Sequence, residues 1–232
     1  IESSDVKIYL KKLLLPFILA SLLIFQPDFG GFMVCMLVAA VLIFCSNFPL
    51  RYFVGFFLVL GVSAYFLIEQ MPYRKARILT FLNPWGSENA GGFQIIQSLV
   101  GFRAGGMFGV GLGNSQEKLH FLPAAHNDFV LAIIGEELGF IGIMGLLLTF
   151  LFFIFSGFSL AKQVEDPYRK NIILGLSSLI GIQAFLHFGV NLGVLPTKGL
   201  NLPFISYGGT SLIATCCIIG IIYSMVKTGE KV

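Results

Sequence analysis

Asp128 is the residue whose type and position most clearly predict chemistry. It ends the run Phe121-Leu-Pro-Ala-Ala-His-Asn-Asp128, and the sequence becomes strongly apolar directly after it. A carboxylate at the edge of a membrane segment is costly to hold there, so by default it marks a functional site. Together with His126 it predicts proton transfer where an aqueous face meets lipid. Capping of the following helix is the other role that this position favours, and the two roles are compatible.

Glu136 and Glu137 lie eight and nine residues after Asp128, inside an apolar helical pattern. Positions 128 and 136 are about two helical turns apart, so they can share one side of a helix. A glutamate inside a membrane segment is costly unless it is paired or faces a polar cavity. We expect an arginine or lysine from another span as the partner, with a polar cavity as the alternative.

Two loop segments combine turn-forming residues with charge. Lys198 lies between Pro196 and Pro203, which exclude a regular helix there. A lysine in such a loop is ordinarily a surface charge, but beside a membrane cavity it is a natural point charge for a diphosphate. Asp28 follows a proline and precedes Gly30, a pattern typical of a turn between two spans.

Two other patterns are better explained by packing than by catalysis. The glycine cluster Gly105–Gly113 lacks the preceding strand of a nucleotide-binding loop. It therefore predicts a close backbone approach, either to another helix or to the phosphates of a ligand. Gln183, His187 and Asn191 recur every four residues, which predicts one helix face and an interhelical hydrogen bond.

The composition indicates a membrane protein. The chain is 56% hydrophobic and 12% charged, with a mean hydropathy of +0.87, whereas soluble domains carry about 25% charged residues. A net charge of +3 is too small to argue for nucleic-acid binding. The four cysteines lie in apolar runs, which predicts small buried side chains, and the three histidines lack metal-ligand spacing.

Apolar segments near the ~20-residue length of a membrane span predict an all-α polytopic helical bundle. We treat residues 1–232 as one membrane domain, with short surface or re-entrant helices in a large outer loop at residues 69–128. The chain starts at Ile1 without a methionine, so we expect a fragment of a longer protein. The six predicted spans are residues 10–25, 29–48, 52–68, 129–160, 172–195 and 207–226.

Charge distribution predicts the orientation of these spans. With a cytoplasmic N-terminus, the inner segments hold nine of the fifteen basic residues, close to the membrane. The positive-inside rule favours this arrangement, in which both termini are cytoplasmic. Asp28, Asp128 and Lys198 then all lie at the outer face.

Six blocks in the sequence together resemble the SEDS family of bacterial cell-wall synthesis (FtsW, RodA and SpoVE), and most closely its FtsW division branch. The resemblance implies a ten-span fold, of which this chain would supply the last six spans. Two departures are the missing first four spans and the presence of His120 and Ala124 where the division branch is often acidic. The blocks are Gln26-Pro-Asp-Phe-Gly30, Asn83-Pro-Trp85, Gly109-Val-Gly-Leu-Gly-Asn-Ser115, Leu122-Pro-Ala-Ala-His-Asn-Asp128, Gly135-Glu-Glu-Leu-Gly139 and Lys198-Gly-Leu-Asn-Leu-Pro-Phe-Ile-Ser-Tyr-Gly-Gly209.

The resemblance implies a peptidoglycan glycosyltransferase. Such an enzyme polymerises lipid II into β-1,4 glycan on the outer face of the bacterial cytoplasmic membrane, working with a class B penicillin-binding protein transpeptidase and other division proteins. The family's essential acidic residue falls on Asp128 and its late-loop lysine on Lys198. Its Gln-Pro-Asp turn falls on Gln26 and Asp28.

From these positions we expect Asp128 to accept the proton of the acceptor sugar's 4-hydroxyl. We expect no organic cofactor, but a divalent cation (Mg²⁺ or Mn²⁺) held partly by Asp128 would assist the leaving diphosphate. A lipid II flippase or transporter and a non-catalytic division scaffold are the alternatives, although no internal repeat of the transporter type is visible. The expected substrate-binding residues are Lys198, Arg77, Arg103, His126, Gln26, Asp28, Glu137 and Ser206.

Overall fold

The computed structural model describes residues 22–23, 28–45, 55, 58, 61–62, 65, 69–70, 72–86, 92–117 and 127–229. Most of these residues are helical and none is in a β-strand, so the all-α prediction is confirmed. The helices are α1 (Phe29–Cys45), α2 (Pro72–Leu82), α3 (Gly92–Gly105), α4 (Val130–Gln163), α5 (Pro167–Asn191) and α6 (Gly209–Gly229), with a 3-10 turn at Pro84–Gly86.

Helices α4, α5 and α6 are long and apolar enough to cross a membrane. Helix α1 is apolar but has 17 residues, slightly fewer than the ~20 of a typical span. These four helices agree with the predicted spans at residues 29–48, 129–160, 172–195 and 207–226. Most residues of the predicted spans at 10–25 and 52–68 lie outside the described residues.

Helix α5 begins five residues before the predicted span, because the local sequence supplies a strong start signal. The Asp166 side chain accepts a hydrogen bond from the backbone N–H of Tyr168 at 3.0 Å. Pro167 occupies the first helical turn, where its missing N–H costs nothing. A 3.3 Å ion pair between Asp166 and Arg169 lies at the same end. These residues define the start of α5.

Helix α4 is broken at Gly139, whose backbone angles (φ 67°, ψ −165°) are accessible almost only to glycine. The break opens the helical bonds that would join the Glu136 carbonyl to Phe140 N–H and the Glu137 carbonyl to Ile141 N–H. The segment after α3 satisfies all four groups. The bonds are Val110 N to Glu136 O (2.9 Å), Gly111 N to Glu137 O (3.1 Å), Phe140 N to Gly106 O (2.9 Å) and Ile141 N to Met107 O (3.3 Å).

The main apolar core lies between α4 and α5 and extends to the segment after α5. Small residues allow these two helices to approach closely, since a Cβ on Gly157 would collide with Ser177 and one on Gly181 would contact Ile154 at 2.6 Å. The Phe150 and Phe188 rings meet edge to face, with centroids 6.4 Å apart. The buried residues of this core are Leu131, Ile143, Phe150, Ile180, Ala184, Phe188 and Leu202.

Candidate functional site

Four charged side chains from separate segments form the candidate site, which we call the Asp128 cluster. Asp28 directly precedes α1, Arg77 lies in α2, and Asp128 lies two residues before α4. Lys198 belongs to the irregular segment between α5 and α6. Arg77 interacts electrostatically with Asp128 and with Lys198, and Asp28 interacts with Lys198. The cluster therefore combines two carboxylates with two cationic groups.

The Asp128 carboxylate is half-buried against the backbone beside Lys198. A Cβ added to Gly199 would lie 3.3 Å from Asp128 Oδ2, so the glycine allows this close approach. Burial raises the pKa of Asp128 above its ordinary value, and the positive charge of Arg77 opposes that shift. A raised pKa makes the carboxylate a stronger base, which suits proton abstraction.

Lys198 is buried enough that its charge is poorly solvated. Burial lowers the pKa of Lys198, the neighbouring Asp28 carboxylate raises it, and Arg77 lowers it further. The lysine stem runs beside the start of α1, since a Cβ added to Gly30 would lie 3.6 Å from Lys198 Cδ and 3.4 Å from Asp28 Oδ1. Arg77 Nη1 donates to the carbonyl of Thr197 at 3.2 Å, which ties α2 to the lysine segment.

Asp28 has the turn geometry expected from its sequence context. Its Oδ1 accepts a hydrogen bond from Gly31 N–H at 2.8 Å, and its carbonyl accepts one from Phe32 N–H at 3.3 Å. These bonds cap the start of α1. Because the same carboxylate also interacts with Lys198, Asp28 both starts the helix and balances charge in the Asp128 cluster.

Backbone carbonyls next to the Asp128 side chain are held by two other segments. Ser206 Oγ donates to Asn127 O at 2.6 Å and accepts a hydrogen bond from Leu202 N–H at 2.8 Å. Asn191 Nδ2, at the end of α5, donates to Asp128 O at 3.0 Å. The Ser206 hydroxyl, expected to bind substrate, therefore bonds within the protein. Asn191 was absent from the expected site, although its four-residue spacing from His187 predicted an interhelical hydrogen bond.

Among the described residues, no lysine or arginine is bonded to Glu136, although a basic partner was expected for it. The side chain is 3% exposed and accepts hydrogen bonds from the Ser115 hydroxyl, from Gln116 N–H at 3.0 Å and from Glu117 N–H at 3.3 Å. Three donors from one loop satisfy this carboxylate. Glu137, expected to bind substrate, contributes its backbone carbonyl to the break in α4.

The glycine cluster packs backbone against backbone on α4. A Cβ at Gly105 would collide with the carbonyl of Gly135, and one at Gly109 would collide with the carbonyl of Glu137. A Cβ at Gly139 would meet the backbone of Gly109 in the same way. Close approach to another helix, one of the two interpretations of this cluster, is therefore confirmed.

Of three further expected residues, the structure describes only Arg103. Arg103 is exposed in the last turn of α3, and among the described residues no hydrogen bond or ion pair links it to Asp128 or Lys198. His126 and Gln26 lie outside the described residues, as do His120 and Ala124.

Few side chains near Asp128 in the described residues could bind a metal ion. Within the described ranges, no three His, Cys, Asp or Glu side chains lie close enough together to hold a metal ion. The Asp128 cluster offers two carboxylates, and its Arg77 and Lys198 side chains already supply positive charge. The divalent cation expected at Asp128 stays a prediction.

Comparison with known proteins identifies the family. The model of the family described as cell cycle protein, FTSW_RODA_SPOVE, matches residues 2–231. The chain belongs to this family. A relative from Geobacter metallireducens named "Probable peptidoglycan glycosyltransferase FtsW" is 43% identical over 208 residues, which cover 90% of this chain and 56% of the relative. A relative of the same name from Coxiella burnetii is 42% identical over 230 residues, which cover 98% of this chain and 62% of the relative.

A solved structure shares the fold of this family member. The structure is described as "Structural coordination of polymerization and crosslinking by a peptidoglycan synthase complex", and its matching chain is 32% identical with a TM-score of 0.77. The match covers 95% of this chain and 62% of the solved one. The chain is thus an integral membrane protein with the polytopic SEDS fold. It spans little more than half the length of the relatives it matches.

Proposed function

We propose that this chain carries the catalytic carboxylate of an FtsW-type peptidoglycan glycosyltransferase, which polymerises lipid II into β-1,4 glycan strands. The observation that carries the proposal is the Asp128 cluster, in which a half-buried carboxylate of raised pKa interacts with Arg77 and lies against the backbone next to the partly buried Lys198. A strengthened base next to poorly solvated positive charge suits a reaction that removes a proton and expels a diphosphate. Family membership and the names of the relatives support the same reaction.

The reaction is a single displacement at the anomeric carbon of the donor sugar. The 4-hydroxyl oxygen of the acceptor forms the new C–O bond while its proton passes to the Asp128 carboxylate. The bond between the anomeric carbon and the diphosphate breaks, and the diphosphate leaves with the electron pair. One displacement inverts the α-linked donor to a β-1,4 product, as a carboxylate base does in inverting glycosidases.

Lys198 and Arg77 stabilise the leaving diphosphate. Both belong to the Asp128 cluster, and the lysine is desolvated, which strengthens its attraction for phosphate oxygens. Arg103, exposed on α3, is available to a phosphate outside the cluster. A Mg²⁺ or Mn²⁺ ion bound with the diphosphate would supply further positive charge.

The setting of the reaction follows from the charge distribution. We place both termini of the chain in the cytoplasm and the Asp128 cluster at the outer face of the bacterial cytoplasmic membrane. The partners are a class B penicillin-binding protein transpeptidase, which crosslinks the new glycan, and other division proteins. The solved peptidoglycan synthase complex supports a polymerase that works together with a crosslinking enzyme.

An experiment on the full-length parent protein with its transpeptidase partner tests the proposal. Lipid II polymerisation is compared for the wild type, Asp128→Asn and Asp166→Asn. Asp166→Asn is the matched control, because asparagine keeps the helix-capping role of this exposed residue far from the cluster. We expect glycan chains to disappear only for Asp128→Asn, at unchanged protein level and partner binding. Polymer formation at the wild-type rate would reject the base and favour a lipid II flippase or a scaffold.

A further inference from the structure

Asn191 is a buried polar residue that the proposed reaction does not yet use. It is the last residue of α5 and has no exposed surface. Its Nδ2 lies 3.0 Å from Asp128 O, 3.0 Å from His187 O and 3.3 Å from His187 Nδ1. The amide nitrogen therefore faces acceptors on both α5 and the segment that holds Asp128.

The surroundings define which way the Asn191 amide points. Its Oδ1 is buried and has no hydrogen-bond partner among the described residues. Turning the amide over would place Oδ1 against the carbonyl oxygens of Asp128 and His187, and oxygen cannot donate to them. The amide is therefore held with its donor aimed at Asp128 O.

The backbone of Asp128 depends on this donor, because the start of α4 does not use the Asp128 carbonyl. Ala132 N–H donates to Phe129 O at 3.0 Å, so this bond of the first turn goes to the residue after Asp128. The neighbouring carbonyl of Asn127 is held by Ser206 Oγ at 2.6 Å. Two side chains from distant segments, Asn191 and Ser206, thus donate hydrogen bonds to the consecutive carbonyls of Asp128 and Asn127.

We infer that Asn191 is a positioning residue for glycosyl transfer, which holds the Asp128 carboxylate in place by donating a hydrogen bond to the Asp128 carbonyl. The inference rests on the proposed function of Asp128. Ser206 stabilises the same segment through its hydrogen bond to the Asn127 carbonyl. A displaced base loses its alignment with the acceptor hydroxyl, and a misplacement of about 1 Å costs a rate factor of about 10².

Asn191→Leu is the variant that tests this role, because leucine has the same number and branching of side-chain heavy atoms as asparagine and lacks the amide. We expect kcat for lipid II polymerisation to fall about 10- to 100-fold, as for a misaligned catalytic group, while KM stays close to wild type. Loss of substrate binding would raise KM instead. Ser98→Ala is the matched control, since Ser98 Oγ donates to Asn191 O at 2.8 Å and lies in the same buried network without touching Asp128.

Each outcome decides between positioning and general packing. A kcat near wild type for Asn191→Leu, with Asp128→Asn inactive, would overturn the inference and leave the proposed function intact. An equal loss for Ser98→Ala would also overturn it, because loosening of the network would then explain both. Activity of Asp128→Asn would reject the proposed function itself. If Asn191→Leu does not accumulate in membranes, Ser206→Ala must show the same loss of kcat at constant KM, and an unchanged kcat would reject the inference.

Discussion

Two groups of carboxylates near the start of α4 have opposite environments. Glu136, with Glu117 beside it, packs against α3, and its carboxylate accepts hydrogen bonds from a hydroxyl and two backbone N–H groups. Asp128 is half-exposed, and among the described residues no hydrogen bond reaches its carboxylate, which interacts with Arg77 instead. A carboxylate whose bonding capacity is filled by the protein stabilises the fold, whereas one left open beside positive charge is available to a substrate.

The largest difference should appear when one carboxylate oxygen in each group is replaced by an amide nitrogen. Asp128→Asn removes a base, so we expect polymerisation to fall by at least about 10²-fold with little change in unfolding temperature. Glu136→Gln should lower stability by about 1–3 kcal/mol, because the amide cannot accept every donor that the carboxylate accepts. Polymerisation rate per folded molecule and thermal unfolding in detergent measure the two effects. A similar rate loss in both variants would remove the distinction between the groups.

Neutralising Lys198 tests the positive side of the Asp128 cluster. Lys198→Met keeps the length of the stem and removes the charge, and we expect a rate loss of about 10²-fold, as for removal of one stabilising donor. Lys162→Met, in the last turn of α4, is the matched control. Steady-state polymerisation at several lipid II concentrations is the measurement. An equal rate for both lysine variants would exclude Lys198 from diphosphate stabilisation.

The break in α4, next to Glu136 and Glu137, offers a test of the carboxylate group that we expect to stabilise the fold. Gly139→Ala forces a Cβ into a backbone region that is nearly restricted to glycine, at about 1–3 kcal/mol, and adds a collision with Gly109 and Met107. Gly145→Ala, in the same helix, meets nothing within 4 Å and should not destabilise. Thermal unfolding in detergent compares the two. Equal unfolding temperatures would show that α4 tolerates a regular helical path at position 139.

The smallest expected effect is a pH dependence at Glu117. Burial, and next the Glu136 charge, raise the pKa of Glu117 above its ordinary value of 4.5. The folded state therefore holds the Glu117 proton more tightly than the unfolded state does. The contribution of protonated Glu117 to folding stability is complete below pH 4.5 and is lost as pH rises through the folded pKa.

Glu117→Gln cannot lose a proton, so it should unfold at a higher temperature than the wild type at neutral pH and at a similar temperature in acid. Ser115 and Glu136 are the polar neighbours in this group, and no basic side chain is bonded to either carboxylate in the part that the structure describes. Exposed Glu165→Gln is the control. A constant difference between wild type and Glu117→Gln at all pH values would contradict the raised pKa.

Much of the fold follows from local sequence properties. Apolar length predicted α1, α4, α5 and α6, because a helix in lipid must satisfy its own backbone and present apolar side chains. The density of glycine in Gly105–Gly113 predicted a close backbone approach. The four-residue spacing of His187 and Asn191 predicted one helix face. These features depend on residues close together in the chain, so the sequence alone determines them.

Only the tertiary structure decided which side chains meet. Arg77 reaches a carbonyl 120 residues away, and Asn191 reaches one 63 residues away. Nothing local distinguishes Arg77, in the Asp128 cluster, from the exposed Arg103. The partners of Glu136 were likewise missed because they come from a loop that folds back onto the break in α4. Sequence spacing determined the helices and their apolar faces, whereas the pairing of polar groups depended on packing between distant segments, which no local pattern encodes.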